Sequence, residues 1–172
     1  MISIVSTRFT NSTWRENNTY RNQYLTKGCI YGSPQEMSPK ILYESIVFVV
    51  EMNNNTNKIE GIGIIKNHPY ADKYYSIYSD GNYNRFIYKS DYYLEREMII
   101  RYNVVLVDAL DYILFKEKNH LKRGSGFTTI TQKIINKKNH KKYKQLDIHK
   151  VIQVIKKCFI SYYRSIEETL KI

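Results

Sequence analysis

The sequence predicts an α+β fold, a small curved sheet or partly closed barrel flanked by helices, ending in a long amphipathic helix. Three observations predict it. Apolar runs rich in β-branched and aromatic residues, broken by short polar turns, occupy residues 46–66 and recur over 75–88. Apolar residues keep helical spacing over 94–113 and again over 148–170. Only seven glycines and three prolines occur in 172 residues, a length that buries a core as one domain, 1–172.

The elements follow in order. "ISIVSTRF" alternates as an opening strand. Thr13 with Glu16 fits a capping box, so a short polar helix begins near Trp14. In "GCIYGSPQEMSPKI", glycines bracket an aromatic loop, and Ser33 to Glu36 open a helical turn with Pro34 at its first position. Ile46 to Met52 reads as a buried strand, Asn53–Asn57 as a turn and Ile59 to Lys66 as a second strand. In that second strand Gly61 and Gly63 mark a bend or a close backbone approach. "YYSIYSDGNYNRFIY" reads as another hairpin turning at Asp80-Gly81. Leu94, Met98, Tyr102, Val105, Ala109 and Ile113 share a helical stripe. Thr129 with Gln132 fits a capping box for a further helix. Ile148, Val151, Ile155, Phe159, Tyr162, Ile166 and Leu170 line the last helix, with Asp147 as its N-cap.

Charge divides the chain. Residues 1–112 carry 12 Lys+Arg and 12 Asp+Glu, a neutral α/β body. Residues 113–172, the basic helical part, carry 15 and 4, so the whole net charge of +11 lies there. A/T-rich codon usage favours Lys, Asn, Ile and Tyr, but it does not segregate lysine to one end. The segregation points to a polyanion partner, nucleic acid. No window is apolar enough for a membrane span, so no membrane partner is expected. Cys29 and Cys158 stand apart and read as free thiols of an intracellular protein.

The candidate contacts come from this charge and from the aromatic residues. In "KRGSG", Lys122, Arg123 and Ser125 stand before a predicted helix start at Thr129, an arrangement suited to phosphate. The GK[ST] order of a P-loop is absent, and a basic connector with a good cap fits the residues equally. Lys137, Lys138, Lys141 and Lys142 form a basic run. Seventeen tyrosines supply stacking surfaces or ordinary sheet packing, with Tyr20 beside Arg21 and Tyr83 near Arg85 on segments expected to be exposed. Enzyme signals are poor, which favours a non-catalytic protein with no cofactor. The four histidines show no metal spacing, His120 is a lone acid–base candidate, and the pairs Asp108/Asp111 and Glu95/Glu97 fit a solvated helix face as well as a cation site.

In order, "ISIVSTRF", "GCIYGSP" and "IVFVVEMNNNTNKIEGIGIIKN" resemble the opening of the YTH and EVE families of the PUA-like superfamily. The chain also resembles uncharacterised proteins of large DNA viruses. The PUA-like resemblance spans residues 1–67 and implies a barrel that binds RNA or DNA, sometimes by caging a modified base. The position matching the first cage tryptophan holds Ile30, followed by Tyr31 as a stacking candidate, while Trp14, the lone tryptophan, precedes the loop. The viral resemblance implies a host-cytoplasmic, viral-factory or virion setting with a viral or host protein partner. Three readings stand: a nucleic-acid-binding module, a protein docking an acidic partner, and a nucleic-acid-processing enzyme.

Overall fold

The computed structural model describes residues 2–25, 27–116, 120–136 and 146–170, with side chains placed through Ser165. It is an α+β structure of three layers. The middle layer is an open five-stranded sheet. Its strands are β1 (Ile2–Phe9), β3 (Ile46–Asn53), β4 (Lys58–Lys66), β6 (Tyr92–Glu95) and β7 (Thr128–Thr129), in the spatial order β6-β4-β3-β1-β7. β1 and β3 are parallel, and the other pairings are antiparallel. The remaining strands, β2 (Cys29–Ser33) and β5 (Phe86–Ser90), form a separate antiparallel ribbon.

β3 explains the layering. Its residues Val47 to Asn53 are all buried, so both faces of the sheet are covered, as a continuous apolar run requires. Phe48, Val50 and Met52 face α2 (Arg96–Phe115) and α4 (Ile148–Leu170). Val47 and Val49 face the β2–β5 ribbon and α1 (Asn11–Tyr24). The Asn-rich turn after β3 forms as its residues dictate. Asn53 Oδ1 accepts from the Asn55 and Thr56 amides, and Asn57 takes a left-handed φ of 54°.

The five-stranded sheet ends in open edges at β6 and β7. Several expectations are corrected. The Asp80-Gly81 segment is not a hairpin: Asp80 caps a 3₁₀ turn, Gly81–Asn84, by accepting from the Asn82 amide. Asn84 then holds residues 77 and 78 through their amides, and β5 pairs with β2 instead. α1 starts one turn earlier than expected, because Thr10 and Thr13 form the reciprocal capping box. Glu16 accepts from the Ser79 amide instead. The Ser33–Glu36 segment is no helical turn; the Ser33 hydroxyl bonds the Gln35 carbonyl where β2 ends. Leu94 belongs to β6 rather than to the helix after it. α2 kinks at Asn103 (φ −160°, ψ 87°), whose Oδ1 accepts from the Leu106 amide and caps the second half of the helix. Asp147 caps α4 by accepting from the His149 amide, as expected. Cys29 and Cys158 are buried free thiols. Among the described residues no helix is long and apolar enough to cross a membrane.

Candidate functional site

Three neighbourhoods bear on function. The first is buried. Glu51 lies fully inside the ribbon-facing side of β3 and pairs with Arg21 of α1, whose side chain is 8 % exposed. Tyr31 donates to Glu51 Oε1 at 2.7 Å and Tyr93 donates to Oε2 at 2.8 Å, so both carboxylate oxygens are satisfied. The Arg21 guanidinium lies 4.6 Å from the Tyr93 ring centroid, 5.5 Å from that of Tyr31 and 5.6 Å from that of Trp14. Gly61 and Gly63 make this possible. A Cβ at Gly61 would collide with the Tyr93 hydroxyl, and one at Gly63 with the Tyr31 hydroxyl and Cys29 Sγ.

Burial alone would lower the pKa of Arg21, but the Glu51 carboxylate more than reverses this and holds it well above its ordinary value. Burial pushes Tyr31 and Tyr93 well up, helped by the charge of Glu51. Burial also raises the Cys29 thiol to about 11.

Arg21 also borders a cavity of about 710 Å³. Trp14, Tyr93, Tyr162 and Tyr163 supply its aromatic lining, and Glu60, Glu95, Glu97 and Lys27 its charges. The Nε and Nη1 atoms of Arg21 are buried with no acceptor in the protein.

The second neighbourhood is the 120–129 loop. Arg8 of β1 builds it: Nε donates to the Leu121 carbonyl at 2.6 Å, Nη1 to the Gly126 carbonyl at 3.2 Å, and Nη2 to the Thr128 hydroxyl. Gly124 and Gly126 have φ of 106° and 63°, backbone that glycine adopts freely. Asn54 Nδ2 donates to the Lys122 carbonyl at 2.9 Å. Arg123 and Ser125 are left exposed. Ser125 borders a cleft of about 280 Å³ that is shared with Thr10, Ser12 and Thr13 at the start of α1.

The third neighbourhood is the solvent face of α4. Lys150, Lys157 and Arg164 are exposed and seven residues apart, hence on one stripe about 21 Å long. Residues 148–165 contain no acid.

The structure scatters the sequence candidates. Tyr31 is not a loop residue; it is fully buried in β2, because its hydroxyl is needed on Glu51. Arg21 is not exposed; it is the buried partner of Glu51. Trp14 is half-buried, edge-on to Phe9 at 5.1 Å, and borders the Arg21 cavity. Arg85 is exposed, 5.9 Å from the Phe86 ring centroid. Lys122 is half-buried. Thr129 caps no helix: it sits in β7 opposite Val5, and the helix after it, α3 (Gln132–Ile135), is one turn long with Thr131 at its N-cap. Lys137, Lys138, Lys141 and Lys142 lie outside the described residues.

Two of the enzyme candidates, His120 and Asp111, have local partners. His120 Nδ1 accepts from the Lys122 amide at 3.3 Å. Asp111 pairs with Arg96 and accepts from the Ile59 amide, tying α2 to β4. Among the described residues no cluster of His, Cys, Asp or Glu is arranged to hold a metal ion. The residues that sequence reasoning missed are Glu51 and Arg8. A lone acid inside the run "IVFVVEM" was the signal for the first; the second carried none. Comparison with family models, curated proteins and solved structures returned no match.

Proposed function

We propose that this protein is a non-catalytic nucleic-acid-binding module that grips phosphates along α4 and at the exposed tip of the 122–126 loop. The exposed, acid-free stripe of Lys150, Lys157 and Arg164 carries the reading. Three like charges on one helix face, in the part of the chain that holds the entire charge excess, suit a polyanion and little else. Arg123 and Ser125 add donors to the same reading, and Lys137, Lys138, Lys141 and Lys142 extend its charge. The kinship with PUA-like domains belongs to this reading too. It is supported by the order of opening strand, polar helix, glycine-bearing aromatic strand and hairpin over residues 1–67.

The test is a salt titration of an oligonucleotide against the wild-type chain and a Lys150→Gln, Lys157→Gln, Arg164→Gln variant. Binding should weaken alike for all sequences, and the slope of log affinity against log salt should fall by about 2–3 if all three touch phosphate. An unchanged slope, or binding only to an acidic protein, refutes the reading.

A further inference from the structure

The cavity beside Arg21 is acidic, against the charge of the chain as a whole. With Arg21 matched by Glu51, its lining sets Glu60, Glu95 and Glu97 against Lys27, a net charge of −2 in a protein of +11. Lys27 is itself paired with Asp91 at 3.9 Å, outside that lining. Three separate devices bring the carboxylates to one place. The register of β3 and β4 shifts after Glu51, leaving Glu60 as the extra residue of a β-bulge, an irregularity that re-aims a side chain. Glu95 ends β6 opposite Gly61, the neighbour of Glu60. Glu97 lies in the first turn of α2. Both Glu95 and Glu97 are exposed, and among the described residues neither makes a hydrogen bond or an ion pair. The N-terminus of α2 offsets only about half a charge.

Aromatic rings supply the rest of the wall. Trp14, Tyr162 and Tyr163 line the cavity together with Tyr93. Part of this wall already holds a cation, since the Arg21 guanidinium lies over the Tyr93 and Trp14 rings. Carboxylates and aromatic rings favour the same class of ligand, a cation. The carboxylates do not converge on a point: among the described residues no cluster is arranged to hold a metal ion. An extended cation therefore suits them better than a compact one. Primary ammonium groups bring N–H donors for the carboxylates, and a quaternary ammonium has none. Two ammonium groups match the charge of the lining, and a chain of methylenes between them matches the rings.

We propose that this cavity binds a linear aliphatic diamine, its ammonium groups on Glu60, Glu95 and Glu97 and its methylenes against Trp14, Tyr162 and Tyr163. This site stands apart from the phosphate-gripping face and does not rest on it. Glu95 and Glu97 are the place to test the charges, because both are exposed and neither is needed by the core. Tyr162 is the place to test the rings, because Trp14 packs on Phe9 and Tyr163 holds the Tyr93 amide.

The experiment is calorimetric titration of the full chain with putrescine, its uncharged analogue butane-1,4-diol, tetramethylammonium and magnesium. At about 0.15 M salt, charges more than about 8 Å apart are screened, so loose surface attraction contributes little. Putrescine should bind about tenfold or more tightly than tetramethylammonium or magnesium, and the diol should not bind. Glu95→Gln with Glu97→Gln should weaken putrescine by about tenfold. Tyr162→Leu should weaken it by about two- to fivefold. The substitutions lie on different helices, so a fold defect in one variant, read from its melting temperature, leaves the other to decide. The titration contains no nucleic acid, so its result stands whether or not the phosphate reading does. No binding of putrescine, equal binding of tetramethylammonium or the diol, tighter binding of magnesium, or insensitivity to the Glu substitutions overturns the proposal. Insensitivity to Tyr162→Leu overturns its aromatic half.

Discussion

Glu51→Gln would leave the Arg21 charge buried beside a neutral amide. Breaking a buried pair from one side costs about 3–5 kcal/mol, and urea unfolding would read that loss. Gly63→Ala pushes a methyl group into the Tyr31 hydroxyl and Cys29 Sγ, both packed in the core, and should cost about 1–3 kcal/mol. A pH dependence follows from the same cluster. Burial raises the Cys29 thiol from 9.0 to about 11, so the folded state keeps a proton that the unfolded chain releases. That stability is fully present below pH 9 and is lost as pH rises towards 11, about 2–3 kcal/mol for this thiol. Tyr31 and Tyr93 are raised from 10.0 in the same sense and add to the loss above pH 10. Urea midpoints at pH 8 and pH 10.5 should therefore fall steeply, and less steeply in Cys29→Ala; a flat profile would refute the linkage. Some of this cluster was legible. The glycines of "EGIGI" mark a close approach in any reading of the sequence. Nothing local to Tyr31 or Tyr93 tells that they are what approaches, because their partner, Glu51, is distant in the chain.

Elements with a periodic apolar pattern were legible, and elements defined by a distant partner were not. β3, β4 and α4 carry their period and caps in contiguous residues. β5 looks like the second arm of a local hairpin because Asp80-Gly81 suits a turn, yet Asn84 consumes the neighbouring amides and β5 pairs with a strand more than fifty residues away. Thr129 looks like a cap because Gln132 follows it, but the open edge of β1 takes Thr128 and Thr129 into the sheet first. Two hydrogen-bonding side chains join elements in ways that can be tested. The Tyr163 hydroxyl accepts from the Tyr93 amide and donates to the Asp91 carbonyl, both at 3.1 Å, clasping α4 to edge strand β6. Tyr163→Phe should cost about 1–2 kcal/mol and speed amide exchange at Tyr93; unchanged exchange there would mean that ring packing alone holds the helix. Asn103→Ala removes the cap of the second half of α2 and should cost about 1 kcal/mol by urea unfolding.

At the scale of the molecule, charge and layering are separate designs. The neutral body supplies four of the five sheet strands, the ribbon and the buried ion pair, while the charge excess rides on the last third of the chain. That segregation was legible from composition; the three layers were not, because the ribbon depends on a pairing that no local signal announces. The 122–126 loop joins the two designs, since Arg8 of the first strand spends its donors on Leu121, Gly126 and Thr128 and so leaves Arg123 and Ser125 facing outward. Arg123→Ala should then weaken oligonucleotide binding by about 1.5–3 kcal/mol without a change in melting temperature. Arg8→Ala should lower the melting temperature as well, because it frees the loop from the sheet. Gly126→Val belongs with Arg8→Ala, since a side chain there meets both a positive φ and the Ser33 hydroxyl. Combining Arg123→Ala with the α4 substitutions discriminates further. If the loop and α4 touch separate phosphates of one strand, their losses in salt slope add, at about 0.7–0.9 per contact. If Arg123→Ala leaves affinity and slope unaltered while Arg8→Ala lowers only stability, the loop is a connector held by Arg8, and α4 carries the phosphate contacts without it.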